Sequence, residues 1–503
     1  MPIPVVDIFA GPGGLGEGFS AFTPQPGGTP AFRIHVSAEM EANAARTLRL
    51  RAFFRQFPAG HVPESYYEYV RGHRETPWTE ATRVQWERAC EEALQLTLGN
   101  PEHDALLATR VAKVADGNQP WVLIGGPPCQ AYSLVGRSRN KGNRHYRPEK
   151  DERHFLYRHY LELIRKYHPA AFVMENVKGI LSSKVGGSLI FPQILRDLAE
   201  PGGRNGPRYR IVPLVVPSRD LEGDASRFIL RAEELGVPQA RHRVILLGIN
   251  EDLRSTSYAP LVASPADTYV EHVLLHLPRL RSGMTTRKVK DWHAEAERIL
   301  MATARHARKT QADIADVLQG AVRKVPRMDP GTGGRWMPWE GDADHLPSHL
   351  RAWLHDERLG GILNHEVRSH MEEDLQRYAY TAAFTQERKR SPKGPEEFPA
   401  MLYPCHQSWG TGNFTDRFKA QAWDRPSSTV TSHLCKDGHY FIHPDVSQIR
   451  SISVREAARL QTFPDNYFFE GARGAQYKQV GNAVPPWMAR QIAGVVYSAL
   501  TSS

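Results

Sequence analysis

The sequence predicts an α/β protein: a doubly wound, mostly parallel sheet with a second, irregular domain. Three observations predict it. The apolar run Val5-Val6-Asp7-Ile8-Phe9 leads into Ala10-Gly11-Pro12-Gly13-Gly14-Leu15-Gly16 and then a helix start at Glu17-Gly18-Phe19. That strand, glycine turn and helix form the first unit of a doubly wound nucleotide-binding sheet. Strand and helix patterns go on alternating to about residue 250, as such a sheet requires. Residues 253–420 then change character, with long polar stretches, the cluster Asp329-Pro330-Gly331-Thr332-Gly333-Gly334 and a Ser391-Pro392-Lys393-Gly394-Pro395 loop.

In the first turn, Gly11, Gly13 and Gly16 fit G-x-G-x-x-G, and glycines let a ligand approach the backbone closely. The absence of a Walker lysine argues against a nucleoside triphosphate. The second strand, Phe32-Arg33-Ile34-His35-Val36, is followed by Ser37, Ala38, Glu39 and Met40. An acid about 20 residues after the glycine turn is placed to grip a ribose hydroxyl pair, and Glu39 fits. The stretch 51–119 is rich in Arg, Glu and Ala, with aromatics Phe53, Phe54, Tyr66, Tyr67 and Trp86, and reads as a mostly helical insert.

The strand Trp121-Val122-Leu123-Ile124 ends in Gly125-Gly126-Pro127-Pro128-Cys129-Gln130. Two prolines fix φ and remove two backbone donors, so the turn is stiff. A thiol presented there is a candidate nucleophile rather than a core residue. Glu175 ends the apolar strand Ala171-Phe172-Val173-Met174 and should emerge on the same sheet edge. Arg241 and Arg243 flank His242 at the start of Val244-Ile245-Leu246-Leu247-Gly248, and period-two spacing places both on one face of a strand.

Between 137 and 150, Arg137, Arg139, Lys141, Arg144, Arg147 and Lys150 stand against Glu149 alone. Without apolar periodicity this reads as a basic loop able to fold over a bound polyanion. A second basic stretch runs from Arg279 to Lys324. Its part Trp292–Leu318 looks helical, and its charges fit a solvated face as well as a binding one. Ser453 is placed to cap a helix over 453–460, and a last helix from Pro486 returns to the sheet.

With 503 residues, 41% of them hydrophobic, the chain has room for two or three domains. No stretch approaches the ~20 apolar residues of a membrane span, and the N-terminus carries no charged-then-apolar export pattern. Cys90, Cys129, Cys405 and Cys435 show no C-x-x-C pairing, which argues against zinc and for a reducing cytoplasm. A net charge of +9 suits an anionic polymer as partner.

Five blocks, taken in order, add to this reading. Asp7-Ile8-Phe9-Ala10-Gly11-Pro12-Gly13-Gly14, Pro127-Pro128-Cys129-Gln130, Glu175-Asn176-Val177, Gln239-Ala240-Arg241-His242-Arg243 and Gly481-Asn482-Ala483-Val484-Pro485 together resemble the signature blocks of the DNA cytosine-5 methyltransferases. The resemblance covers about 1–50, 120–250 and 420–500. It implies a fold of the S-adenosylmethionine-dependent methyltransferase type and that cofactor as methyl donor. The donor would lie over Phe9, Gly11, Gly13 and Leu15, with ribose on Glu39, adenine against Met40 and Asn482 brought back beside it. The family usually has an acid before the Cys strand that holds the adenine amine. Asp104 and Asp116 are both available, neither match is close, and the role stays unassigned.

The chemistry asks for the same residue types. Cytosine C5 is a poor nucleophile, and thiolate attack at C6 converts it into an enamine carbon that can take a methyl group. Cys129 supplies the thiol and Glu175 supports ring N3. By resemblance, Arg241 and Arg243 orient the base, the acid and a nearby phosphate. The partner implied is duplex DNA with the target base flipped out, its backbone met by Arg137, Arg139, Lys141 and Arg144.

The organisation expected is a catalytic and cofactor domain over 1–252, a target-recognition region over 253–449 supported by the block 425–431, and a return to the catalytic domain over 450–503. A monomer and a companion restriction endonuclease are expected. An RNA cytosine-5 methyltransferase on the same scaffold stays open, because a long insert favours DNA without excluding RNA. An amino-group methyltransferase would place an aromatic after Pro127-Pro128, and a non-catalytic DNA-binding module would not need Cys129, Glu175 and Arg241 together.

Overall fold

The computed structural model describes residues 1–117, 119–127, 156–185, 187–215, 225–253, 257–265, 267–341, 343–405, 409 and 416–502. Its centre is a sheet in which β1 (Ile3–Ile8), β2 (Phe32–Glu39), β3 (Ala93–Gln95), β4 (Val122–Gly125) and β5 (Ala171–Val177) lie in the order β3-β2-β1-β4-β5. All five run parallel. Parallel strands are covered on both faces and so read as continuous apolar runs. Alternation then splits each run between two cores. Val5, Ile34, Val122, Val173 and Ile245 meet Met488, Ile492 and Val496 of the last helix, Pro486–Thr501. Val6, Val36, Leu123, Phe172 and Leu246 meet Leu107, Val111, Tyr160, Ile164 and Ile194 from helices on the other face.

After β5 the chain makes a small exposed hairpin, β6 (Lys184–Val185) with β7 (Ser188–Leu189). It then returns in β8 (Tyr209–Val212), β9 (Ile229–Arg231), β10 (Gln239–Ala240) and β11 (His242–Asn250). β11 joins β5 antiparallel, and β8 and β9 pair antiparallel with β11. The doubly wound reading therefore holds, with an antiparallel finish.

α1 (Gly14–Ser20) precedes the 51–119 stretch and α2 (Ala42–Phe54) runs into it, and within it lie α3 (Glu64–Arg71), α4 (Arg83–Glu92) and α5 (Pro101–Ala115). Asn100 caps α5 through Glu102 N and His103 N, with Pro101 in the first turn, a sequence-local start signal. The one surprise is β3. Three residues are too few to show periodicity, yet Ala93, Leu94 and Gln95 extend the main sheet beside Ser37, Ala38 and Glu39.

The second region is less irregular than its composition suggests. Helices Trp292–Arg308, Ala312–Val322 and Glu372–Arg388 share one core through Trp292, Ile299, Leu318, Leu375 and Phe384. The helical stretch expected over Trp292–Leu318 is thus two helices, broken after Arg308. Two-stranded ribbons join β12 (Gly283–Met284) to β15 (Ser369–His370), and β13 (Gly333–Pro338) to β14 (Gly361–Glu366). Much of the basic stretch is neutralised internally. Arg281 pairs with Asp329 and Arg308 with Asp316, while Arg287 and Arg298 share Glu295 and Glu372.

The helix Val454–Leu460 is entirely buried and starts, as its sequence predicts, at Ser453. The Ser453 hydroxyl accepts from Glu456 N and the Glu456 carboxylate accepts from Ser453 N, a reciprocal capping box. Around it the polar groups are paired rather than excluded, which is what makes their burial tolerable. Arg450 grips Glu456 in a two-pronged contact, and Arg459 grips Asp465 likewise. His365 lies between Ser453 Oγ at 2.8 Å and the Pro278 carbonyl at 2.8 Å, and His370 Nδ1 is 3.0 Å from Ser282 Oγ.

Burial pushes His365 down to about 4 and His370 down to about 3. The sign of the consequence is fixed. Above about pH 6.5 both rings are neutral folded or unfolded, and below it only the unfolded chain takes up protons. Stability is therefore lost as pH falls from about 6.5 toward 4, at roughly 1.4 kcal/mol per pH unit for each ring. Urea unfolding at pH 7 and pH 5 should show this loss, and His370→Asn should make the dependence shallower.

Candidate active site

The register of the parallel strands sets the site. Ile8 pairs with Gly125, and Gly125 with Met174, so the glycine turn, the turn after β4 and Glu175 leave one edge of the sheet side by side. This is the carboxyl edge, where open α/β sheets bind ligands.

The glycine turn is strained in a way that its sequence permits. Phe9 has φ 55°, Gly11 56° and Gly13 95°, a left-handed region that L side chains rarely adopt. A Cβ on Gly11 would meet nothing within 4 Å, whereas one on Gly14 would lie 2.1 Å from the Val484 carbonyl oxygen. The turn is thus closed on the protein side and open on the other. Gly11 N–H donates to Glu39 Oε2 at 2.9 Å and Glu41 N–H to Glu39 Oε1 at 2.8 Å. Burial raises the Glu39 carboxyl above its usual range, against those two backbone donors. The Leu15 side chain packs in the core with Val5 and Phe19. Met40 is exposed, as is Asn482 at the end of the helix Arg473–Asn482.

Glu175 Oε2 would lie 2.8 Å from a Cβ on Gly126. The carboxylate therefore reaches over the turn that follows β4, three residues before Cys129. Arg243 Nε stands 2.8 Å from Glu175 Oε1, with both side chains largely buried. Arg241 and Arg243, expected to orient the base, the acid and a phosphate, make different direct contacts. Arg241 precedes β11, and its guanidinium donates to the Val430 carbonyl at 2.6 Å and the Gly481 carbonyl at 3.3 Å. It clasps backbone, while Arg243 alone reaches the acid. Cys129 and the basic residues Arg137, Arg139, Lys141 and Arg144 lie outside the described residues.

Three sequence blocks converge on that clasp. The Gln239 side chain accepts from Val430 N at 2.7 Å and donates to Leu460 O at 3.1 Å, and β10 pairs with β16 (Ser427–Ser428). A Cβ on Gly481 would lie 2.2 Å from the Thr431 carbonyl carbon, so only glycine allows this approach.

A family model described as C-5 cytosine-specific DNA methylase matches residues 108–325 and 352–498. The chain belongs to that family. The type II methyltransferase M.Bpa9945I of Bacillus paralicheniformis is 33% identical over 98% of this chain and 98% of its own length. The DNA (cytosine-5-)-methyltransferase M.ApeKI of Aeropyrum pernix is 25% identical over 77% of this chain and 84% of its own. Among solved structures, a DNA modification methyltransferase assigned to an E. coli prophage matches 99% of this chain with a TM-score of 0.53 at 19% identity, a likeness of fold. The protein is a DNA (cytosine-5-)-methyltransferase that uses S-adenosylmethionine. Among the described residues no helix is long and apolar enough to cross a membrane.

The turn fits that cofactor. Its open side offers left-handed backbone, and the Glu39 carboxylate is held at its rim. Sequence reasoning missed what lies beneath. Asp7 is fully buried beside the Gly16 backbone, its carboxylate facing no cationic partner within ion-pair distance among the described residues, and burial pushes it up to about 8. The signal was visible as one acid inside an apolar strand. It also missed Gln95, exposed and in register with Glu39 at the end of β3. Asp104, in contrast, accepts from Gly99 N at the start of α5, and Asp116 caps that helix's end.

Proposed function

We propose that this methylase transfers a methyl group to C5 of a flipped-out cytosine in duplex DNA through a covalent Cys129–C6 intermediate. The observation that carries the proposal is Glu175 leaning over Gly126 with Arg243 behind it, at the edge where the Cys129 turn begins. The Cys129 thiolate adds to C6, and the ring's electron pair moves to C5 as N3 is supported by Glu175. C5 then takes the methyl group. Loss of the C5 proton and departure of the sulfur restore the aromatic base and the free thiolate.

S-adenosylmethionine supplies the electrophilic methyl group, held by the glycine turn at Phe9, Gly11 and Gly13, with Glu39 on the ribose and Met40 and Asn482 at the rim. Arg243 fixes the acid, and Arg241 keeps the β10–β11 corner fastened to the two backbone segments behind it. Arg137, Arg139, Lys141 and Arg144 meet the DNA backbone, a contact that positions the protein without reading bases. Region 253–449 reads the sequence. A companion restriction endonuclease belongs to the same reading, since relatives carry type II names; a monomeric state and a cytoplasmic site are part of the proposal as well.

Tritiated methyl transfer tests this on duplex DNA and on tRNA in parallel, with bisulfite sequencing of DNA from expressing cells to find the modified site. Incorporation into duplex DNA with protected cytosines at one recurrent sequence supports the proposal. Incorporation into tRNA alone moves the activity to RNA.

A further inference from the structure

The glycine turn is held from outside its own sheet, by one tyrosine of the C-terminal segment. Tyr467 is fully buried, and its hydroxyl donates to the Pro12 carbonyl. Pro12 has no N–H to offer, so this carbonyl is its only backbone group able to hydrogen-bond. The next residue, Gly13, donates to the Ala10 carbonyl at 2.9 Å. Its Cβ, if present, would sit 2.9 Å from the Tyr467 hydroxyl and 2.8 Å from Leu48 Cδ2. The peptide plane between Pro12 and Gly13 is therefore fixed by the phenol on one side and by the turn itself on the other.

Tyr467 is in turn fixed. Arg455 donates to the Tyr467 carbonyl at 2.6 Å, to Pro464 O at 2.9 Å and to Leu363 O of β14 at 2.8 Å. Arg51 lies 4.8 Å over the Tyr467 ring and grips Glu17 in the first turn of α1. Arg51 also reaches Asn466 Oδ1 at 2.9 Å. Both the turn and the helix that follows it are thus tied to residues 466–467.

We propose that Tyr467 is a positioning residue for methyl-donor binding: its hydroxyl holds the Pro12 carbonyl, and so the shape of the glycine turn, for S-adenosylmethionine. This rests on the reading that the glycine turn holds that cofactor. A hydroxyl lost from a buried carbonyl leaves an unsatisfied acceptor, while the ring and its packing stay. The effect should fall on cofactor binding and leave the chemistry untouched.

Tyr467→Phe tests it. Calorimetric titration with S-adenosylmethionine should show affinity weakened by about three- to tenfold. KM for S-adenosylmethionine should rise in step, kcat at saturation should stay, and duplex DNA affinity should be unchanged. Two comparisons keep the outcomes apart. Glu39→Ala tests the turn itself, and Tyr69→Phe removes another hydroxyl of the same interface, the one bonded to Glu470, and should not alter cofactor affinity. If Glu39→Ala weakens binding and Tyr467→Phe does not, Tyr467 is only packing. Equal losses in Tyr467→Phe and Tyr69→Phe mean general loosening and overturn the proposal. If neither Glu39→Ala nor Tyr467→Phe changes the affinity, the cofactor lies elsewhere and both readings fail. Should Tyr467→Phe not fold, Arg51→Lys takes its place. It keeps charge on Glu17, loses the reach to Asn466 and carries the same expectation.

Discussion

Cys129→Ser is expected to lower methyl transfer by about 10³-fold or more while S-adenosylmethionine and duplex DNA still bind. A serine hydroxyl is almost wholly protonated near neutral pH, and the alkoxide is not available to attack C6, whereas a thiol yields a usable fraction of thiolate. The loss should appear in kcat with little change in KM, because the thiol matters only as the transition state forms. DNA carrying 5-fluorocytosine at the target should give a denaturation-resistant complex with the unaltered protein, since C5 then has no proton to lose. The Ser variant should give none. Turnover by Cys129→Ser within a factor of ten of the parent would remove Cys129 from the reaction.

Glu175→Gln should cost about 10²- to 10⁴-fold in rate, the usual worth of one positioned acid–base group. The amide keeps the side chain's shape over Gly126 but cannot pass a proton to N3, and it leaves Arg243 without its charge partner. Trapping by 5-fluorocytosine DNA should slow in the same proportion, because N3 support acts on the thiol attack itself. Stopped-flow or quench measurement of the trapping step decides it. A variant that traps at the parental rate but turns over slowly would place Glu175 in a later step.

The sheet was legible because its strands obey local rules. Val5–Ile8, Val122–Ile124 and Ala171–Met174 are apolar runs ended by turn chemistry, and Ser453 with Glu456 forms a cap readable from four residues. The candidate acid was legible for the same reason, since a charge at the end of a buried strand has one edge to emerge on. What stayed hidden depends on contacts between distant segments. Arg241 was grouped with Arg243 by spacing and by the block that holds both, yet its partners, Val430 and Gly481, lie about 190 and 240 residues away. β3 could not be seen because Ala93, Leu94 and Gln95 become a strand only beside Glu39. In the second region the helical stretch Trp292–Leu318 was legible but its break after Arg308 was not, and the helix Glu372–Arg388 went unread; paired charges such as Arg298 with Glu295 and Glu372 read as polarity in sequence and as internal ties in space.

The β10–β16 pairing has a consequence for how such a protein diversifies. Val270 N–H donates to the Arg425 carbonyl at 3.1 Å and Glu271 N–H to the Trp423 carbonyl at 3.1 Å, so the segment between them leaves and re-enters the chain at one place. A gene segment spliced in there closes on itself, and its length can vary at little entropic cost. Recombination is not wholly free, however. Arg335 donates to Tyr69 O and Val70 O, Arg358 to Gly60 O and Val62 O, and Tyr67 to Asp356. A cassette exchanged between relatives therefore has to fit against residues 60–70 along this seam. Most of these ties run to backbone carbonyls, so the segment can change its side chains and still keep the seam.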